Sequence, residues 1–190
     1  MSDSKPPPDG TAAWLPGDLE PRDRVARILR VDHAGEYGAK RIYEGQLAVL
    51  GRRGAAAQEI SHMHAQELRH LAKFETLIAE RRVRPTALTP LWHVAGYALG
   101  AATALMGARA AMACTVAVEE VIDEHYRRQA ETLGPEEAAL KEEILAFRKD
   151  ELAHRDTAVA AGGTAIAGYG LLAGAIKAGS RLAIWLSERV

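Results

Sequence analysis

Two short motifs, ELRH at 67–70 and ELAH at 151–154, each set a glutamate and a histidine one helical turn apart. Residues at i and i+3 share a helix face, so Glu67 with His70, and Glu151 with His154, can each reach one ion. A lone Glu-x-x-His is common and usually a solvated pair, so the surroundings decide. Here they are apolar. Ile60, Met63, Glu67, His70, Phe74 and Leu77 advance by threes and fours, as do Leu140, Ile144, Phe147, Glu151, His154 and Ala158. Two further stripes carry an acid in the same way: Val25, Leu29, Asp32, Glu36, Ala39, Tyr43, Leu47, and Met112, Val116, Glu119, Ile122, Tyr126. Glu120 competes with Glu119, and Glu44 and Glu59 with their neighbours, but none fits its stripe as well.

Four acids aimed into one core would repel one another, and each costs several kcal/mol to bury unpaired. A cationic partner is therefore required. Two Glu-x-x-His motifs imply two metal ions, and four carboxylates against two divalent ions leave a neutral cluster that a low-dielectric core tolerates. One Glu from each of two helices, plus a Glu-x-x-His from each of two others, is the dinuclear carboxylate pattern of ferritin-like bundles. The chain also repeats internally. Glu36 and Glu67 are 31 residues apart, Glu119 and Glu151 are 32, and Glu-x6-Tyr-x2-Gln recurs as Glu36, Tyr43, Gln46 and Glu119, Tyr126, Gln129. The halves read as two copies of a helix hairpin, and the 52 residues from Glu67 to Glu119 leave room for a crossover. Gly35 and Gly38 flank the first ligand, where each costs roughly 1 kcal/mol of helix propensity. They remove bulk beside it, admitting a partner helix, a substrate or dioxygen.

The elements that must carry these residues follow from the rest of the 190-residue chain, a length that suits one domain. Residues 1–21, with Pro6, Pro7, Pro8 and Pro16, read as a disordered tail, and 22–190 as the domain. Alanine and leucine then abound without strand signals, which predicts an all-α chain: a four-helix bundle with a long crossover and additional apolar and amphipathic helices. Helices are expected from Pro21 to about 50, 56–82, 108–132, 136–160 and 164–188, with an apolar stretch at 91–107. Lys+Arg of 24 against Asp+Glu of 25 gives a net charge of -1, which excludes a broad nucleic-acid-binding field. The single cysteine, Cys114, excludes an intramolecular disulfide and a cysteine-based metal set. His33, His62, His64, His93 and His125 read as surface or hydrogen-bonded histidines.

RVDHAGEYGAKRIYEGQ, ELRHLAKFETLI, ACTVAVEEVIDEHY and KDELAHRD resemble the demethoxyubiquinone hydroxylase family of ubiquinone biosynthesis, di-iron monooxygenases of ferritin-like fold. The resemblance covers everything after the tail. It places the family's iron ligands on Glu36, Glu67, His70, Glu119, Glu151 and His154, the same six selected by periodicity, and marks His125 and Tyr126 as a relay beside the metals. It implies two iron ions, Fe(II) in the reduced state, dioxygen as co-substrate, and hydroxylation of the ring of a demethoxyubiquinol. One oxygen atom leaves as water, so two electrons enter per turnover. No Gly-rich dinucleotide fingerprint is present, so the reductant, NADH among the candidates, binds transiently or acts through the quinone itself.

A polyprenyl tail on the substrate adds a demand. Residues 91–108 are almost uncharged, and the last helix sets Leu171, Leu172, Ile176, Leu182, Ile184 and Trp185 beside Lys177, Arg181 and Arg189. Both segments suit a membrane surface rather than a span. The N-terminus lacks an Arg/Ser-rich import presequence, so a bacterial-type member, peripheral on the cytoplasmic face of the inner membrane, is expected, as a homo-oligomer or in a ubiquinone-biosynthesis complex. A ferroxidase or peroxide-scavenging relative would share all six ligands, but a ferritin cage needs a polar exterior.

Overall fold

The computed structural model describes residues 19–51 and 53–190; most of the expected tail lies outside them. The described residues form six α-helices and no strand: α1 (Pro21–Leu50), α2 (Ala55–Arg81), α3 (Thr89–Leu105), α4 (Ala108–Thr132), α5 (Ala138–Ala160) and α6 (Tyr169–Ser187). Pro21 opens α1, where its missing N–H would have had no helical partner. α1 pairs with α2 and α4 with α5 as antiparallel hairpins. α1 also meets α4, and α2 meets α5, closing a four-helix core. α3 is the crossover between the hairpins, and α6 returns along α4.

The core is layered. Leu29, Phe74, Tyr126, Leu140, Ile144 and Phe147 pack at one end, and Tyr43, Ile60, Met63, Met112, Val116 and Ala158 at the other. On every core helix the inward acid falls between these two layers, which seal it from water at both ends.

The apolar stretch placed at 91–107 is the helix α3, and it lies against α1 so closely that backbone replaces side chains. A Cβ on Gly100 would collide with the Ile42 carbonyl oxygen, and one on Gly45 with that of Tyr97. Two expected boundaries shift. The helix expected at 136–160 starts as a 3-10 turn at Pro135–Glu137 and continues as α5. The last helix begins at Tyr169 rather than 164, because Gly162 (φ 85°) and Gly168 (φ 75°) take the left-handed region and turn the chain before it can wind. No helix among the described residues is long and apolar enough to cross a membrane.

Candidate metal centre

All six expected ligands are buried, none more than 3% exposed, and they meet in one cluster. Donor atoms of Glu36, Glu67, His70 and Glu151 lie within 4.8 Å of one another, and so do those of Glu67, Glu119, Glu151 and His154. The two sets share Glu67 and Glu151, one glutamate from each Glu-x-x-His motif, and so outline two adjacent candidate positions. Each position holds three carboxylates and one imidazole, a donor set suited to a divalent transition ion such as iron.

The histidines present their Nδ1 atoms inward. His70 Nδ1 lies 3.1 Å from Glu151 and 3.5 Å from Glu36; His154 Nδ1 lies 3.0 Å from Glu151 and 3.2 Å from Glu67. Glu36 Oε2 and Glu67 Oε1 are buried yet make no directed hydrogen bond, which marks lone pairs left for an ion. Outward, the His70 Nε2–H donates to Asp150 Oδ2 at 3.2 Å and the His154 Nε2–H to Gln66 Oε1 at 3.1 Å. Those bonds hold the tautomer that leaves Nδ1 free for a metal.

The tyrosines of the repeat brace the ligands crosswise. Tyr43 on α1 donates to Glu119 on α4 at 2.9 Å, and Tyr126 on α4 donates to Glu36 on α1. His125 and Tyr126 are not bonded to each other; they make separate contacts. His125 lies 3.3 Å from Asp32 and 2.7 Å from Gln129, which itself donates to Asp32 at 2.7 Å. A space of about 30 Å³ touches Asp32, Glu36, Glu119, His125 and Tyr126 together. Asp32, Gln129, Gln66 and Asp150 were not singled out from sequence as site residues. Asp32 stood on an apolar stripe, and Gln66 and Asp150 each immediately precede a motif glutamate, which were the available signals. His33, expected at the surface or hydrogen-bonded, is buried with its Nδ1 unpartnered.

Protonation in the metal-free cluster tells where cations belong. Burial pushes Glu67 and Glu119 well above the usual carboxyl range, and neighbouring carboxylates push them further. Burial also pushes Glu151 up, but hydrogen bonds from His154 and His70 outweigh it and hold it at about 2. Burial lowers His70, but Glu151 and Glu36 bond its protonated form and raise it to about 10. Protons supply the compensating charge here, and any metal that binds would have to displace them.

The stability of the metal-free protein depends on pH with a definite sign. Glu67 and Glu119, raised by burial, destabilise the fold as pH rises above their ordinary value of 4.5, and His70 loses its contribution between 6.5 and about 10. His33 and His64, lowered by burial, act the other way only below 6.5. The metal-free protein is therefore expected to melt lower at pH 9 than at pH 7. The loss is up to about 1.4 kcal/mol per pH unit from His70, each kcal/mol being worth roughly 2–4 °C. Saturating divalent metal should flatten the trend. Calorimetry that finds metal-free melting temperatures rising over this range would contradict the assignment.

Beside the cluster, a cavity of about 390 Å³ runs between α1, α3, α4 and α6. Gly35 and Gly38 line it, and a Cβ on either would meet nothing within 4 Å. Of the three roles open to these glycines, admission of a partner helix is thereby removed. Val31, Gly35, Ala39, Val118, Ile122 and Ile184 also border the small space at the ligands, so only a thin wall separates the two.

The family model for ubiquinone biosynthesis protein COQ7 matches residues 23–187. The chain is 59% identical over 176 residues to 3-demethoxyubiquinol 3-hydroxylase of Rhodospirillum rubrum, covering 93% of this chain and 83% of that protein. It is 52% identical over 173 residues to the human NADPH-dependent 3-demethoxyubiquinone 3-hydroxylase, covering 89% and 79%. To the 5-demethoxyubiquinone hydroxylase of Saccharomyces cerevisiae it is 42% identical over 180 residues, covering 86% and 77%.

Proposed function

This chain belongs to the COQ7 family of ubiquinone biosynthesis proteins and is a hydroxylase of that pathway; we propose that it adds a hydroxyl to the ring of a demethoxyubiquinol at a pair of iron ions. The observation that carries the reading is the pair of four-donor sets that share Glu67 and Glu151. Bound iron would supply dioxygen activation, with Glu36, Glu67, His70 and Glu151 holding one ion and Glu67, Glu119, Glu151 and His154 the other.

The chain's own groups do the rest. Tyr43 and Tyr126 hold Glu119 and Glu36 in place, so the ligands need little reorganisation during turnover. The apolar layers at both ends keep water from the site. The cavity opened by Gly35 and Gly38 takes the quinol ring, and its apolar walls lead the tail outward past α3 and α6. The balance requires dioxygen, two electrons and two protons for each hydroxyl formed and water released. A reduced nicotinamide is the reductant class that the human relative is named for. We assign proton transfer to Tyr126 at Glu36 and to His125 at Asp32; Tyr126→Phe is expected to slow turnover with metal content unchanged.

The deciding experiment loads the protein with Fe(II) without air, adds a demethoxyubiquinol analogue, then dioxygen. The hydroxylated ring is expected in a stoichiometric single turnover. Iron oxidation with no ring product would favour a ferroxidase instead.

The substrate source is a membrane surface. Leu91, Val94, Leu105 and Met106 on and just beyond α3, and Leu171, Leu182 and Trp185 on α6, are exposed, Leu171 at 83%. Arg189 lies over the Trp185 ring at 4.2 Å, an aromatic and a cation together as an interface favours. Leu182→Glu with Trp185→Glu is expected to release the protein from anionic vesicles without changing its iron. Undiminished co-sedimentation of that variant would assign these side chains to helix packing.

A further inference from the structure

The two metal positions have matching inner donors, three carboxylates and one imidazole each, with Glu67 and Glu151 common to both. The inner donors alone therefore give no reason for the ions to bind differently. The groups behind the histidines differ. In each motif the residue just before the glutamate crosses to the other motif's histidine: Gln66 on α2 to His154 on α5, and Asp150 on α5 to His70 on α2. The register is the same in both halves of the repeat. The chemistry is not, because one acceptor is a carboxylate and the other a neutral amide.

We propose that the position held by His70 binds its ion first and more tightly than the position held by His154, with Asp150 the positioning residue that sets the order. This rests on the dinuclear reading above. A charged acceptor makes a hydrogen bond about twice as strong as a neutral one. Drawing on the Nε2–H, it leaves more electron density on Nδ1, which faces the ion. An amide carbonyl draws less.

A second observation points the same way. Phe147 lies flat on the His70 ring, with centroids 4.1 Å apart and planes at 27°. The residue in the same register on α2, four before the motif glutamate, is Met63, which offers no flat ring and sets its sulfur 3.9 Å from the Tyr43 hydroxyl. His154 faces the edge of Tyr43 at 6.5 Å. His70 is thus held by both a charged acceptor and a stacked ring, and loses less freedom when it takes a metal. The Asp150 side chain is 42% exposed, so water damps its field. That sets the expected difference at the lower end of what outer hydrogen-bond partners contribute, about tenfold rather than 100-fold in affinity.

The test is titration of the metal-free full-length protein with Co(II) under nitrogen, followed by visible absorption and calorimetry. Two steps are expected, separated about tenfold or more, with a one-metal species filling first. Asp150→Asn should weaken the first step about tenfold and leave the second in place, so that the steps merge. Gln66→Glu, which brings a carboxylate to His154, should tighten the second step. Asp150→Glu should restore part of the separation, which a merely structural role would not predict. Circular dichroism checks that each variant keeps its helices. Two equal steps in the unmodified protein, or an Asp150→Asn change that moves both steps alike or neither, overturns the ordering but not the dinuclear reading. Failure of the unmodified protein to take up metal overturns both.

Discussion

Glu151→Ala is expected to lose most of the bound metal from both positions at once and to reduce hydroxylation by on the order of 100-fold or more, since even outer partners of metal ligands are worth 10–100-fold. The reason is geometric. Glu151 belongs to both donor sets and lies 3.1 Å from the His70 ring nitrogen and 3.0 Å from that of His154. Glu67→Ala should behave alike in metal content, whereas Glu36→Ala or Glu119→Ala, each in one set only, should leave about half. Without metal the two shared glutamates should part company. Removing Glu67 deletes an acid whose pKa burial has already raised, so the fold should keep or gain stability. Removing Glu151 deletes the carboxylate that both histidines bond, so the metal-free fold should be weakened. Elemental analysis and melting curves with and without Fe(II) separate these outcomes. Retention of two metals per chain in Glu151→Ala would remove the centre as described.

The second large effect is expected at Gly35, where stability and activity should move in opposite directions. A Cβ there meets nothing within 4 Å, so Gly35→Ala should stabilise α1 by up to about 1 kcal/mol, the helix propensity recovered. Gly35→Leu should keep much of that gain while filling the passage between the 390 Å³ cavity and the ligands. A ring kept from the reacting site by even an ångström can cost on the order of 100-fold. Metal content should be unchanged. Gly100→Ala is the contrast: its Cβ would strike the Ile42 backbone, so it should destabilise by about 1–3 kcal/mol through overpacking. If Gly35→Leu is stable, metallated and as active as the unmodified protein on a long-tailed quinol, the ring enters by another path.

That six side chains with metal-binding chemistry point into one buried cluster was legible from the sequence because the direction of a helical side chain is a local property. Once the apolar residues around Glu36, Glu67, Glu119 and Glu151 repeat by threes and fours, the acids must share their face, and an uncompensated acid there is too costly to be accidental. The matched spacing of the repeat likewise foretold two hairpins. What lay beyond the sequence were relations between helices, since these depend on crossing angle and axial register, which packing decides. Tyr43 reaches Glu119 and not its own helix's Glu36, and Tyr126 reaches Glu36 in return. Asp150 and Gln66 exchange histidines, so that chemically unlike residues sit behind otherwise matching donor sets. His125 and Tyr126, adjacent in sequence, point to different partners because consecutive side chains on a helix diverge by about 100°. The glycines show the same division. Sequence could say that Gly35, Gly45 and Gly100 lack bulk, but only the packed structure distinguishes backbone pressed against Gly45 and Gly100 from open space kept at Gly35, because glycine permits both and the neighbouring helix chooses.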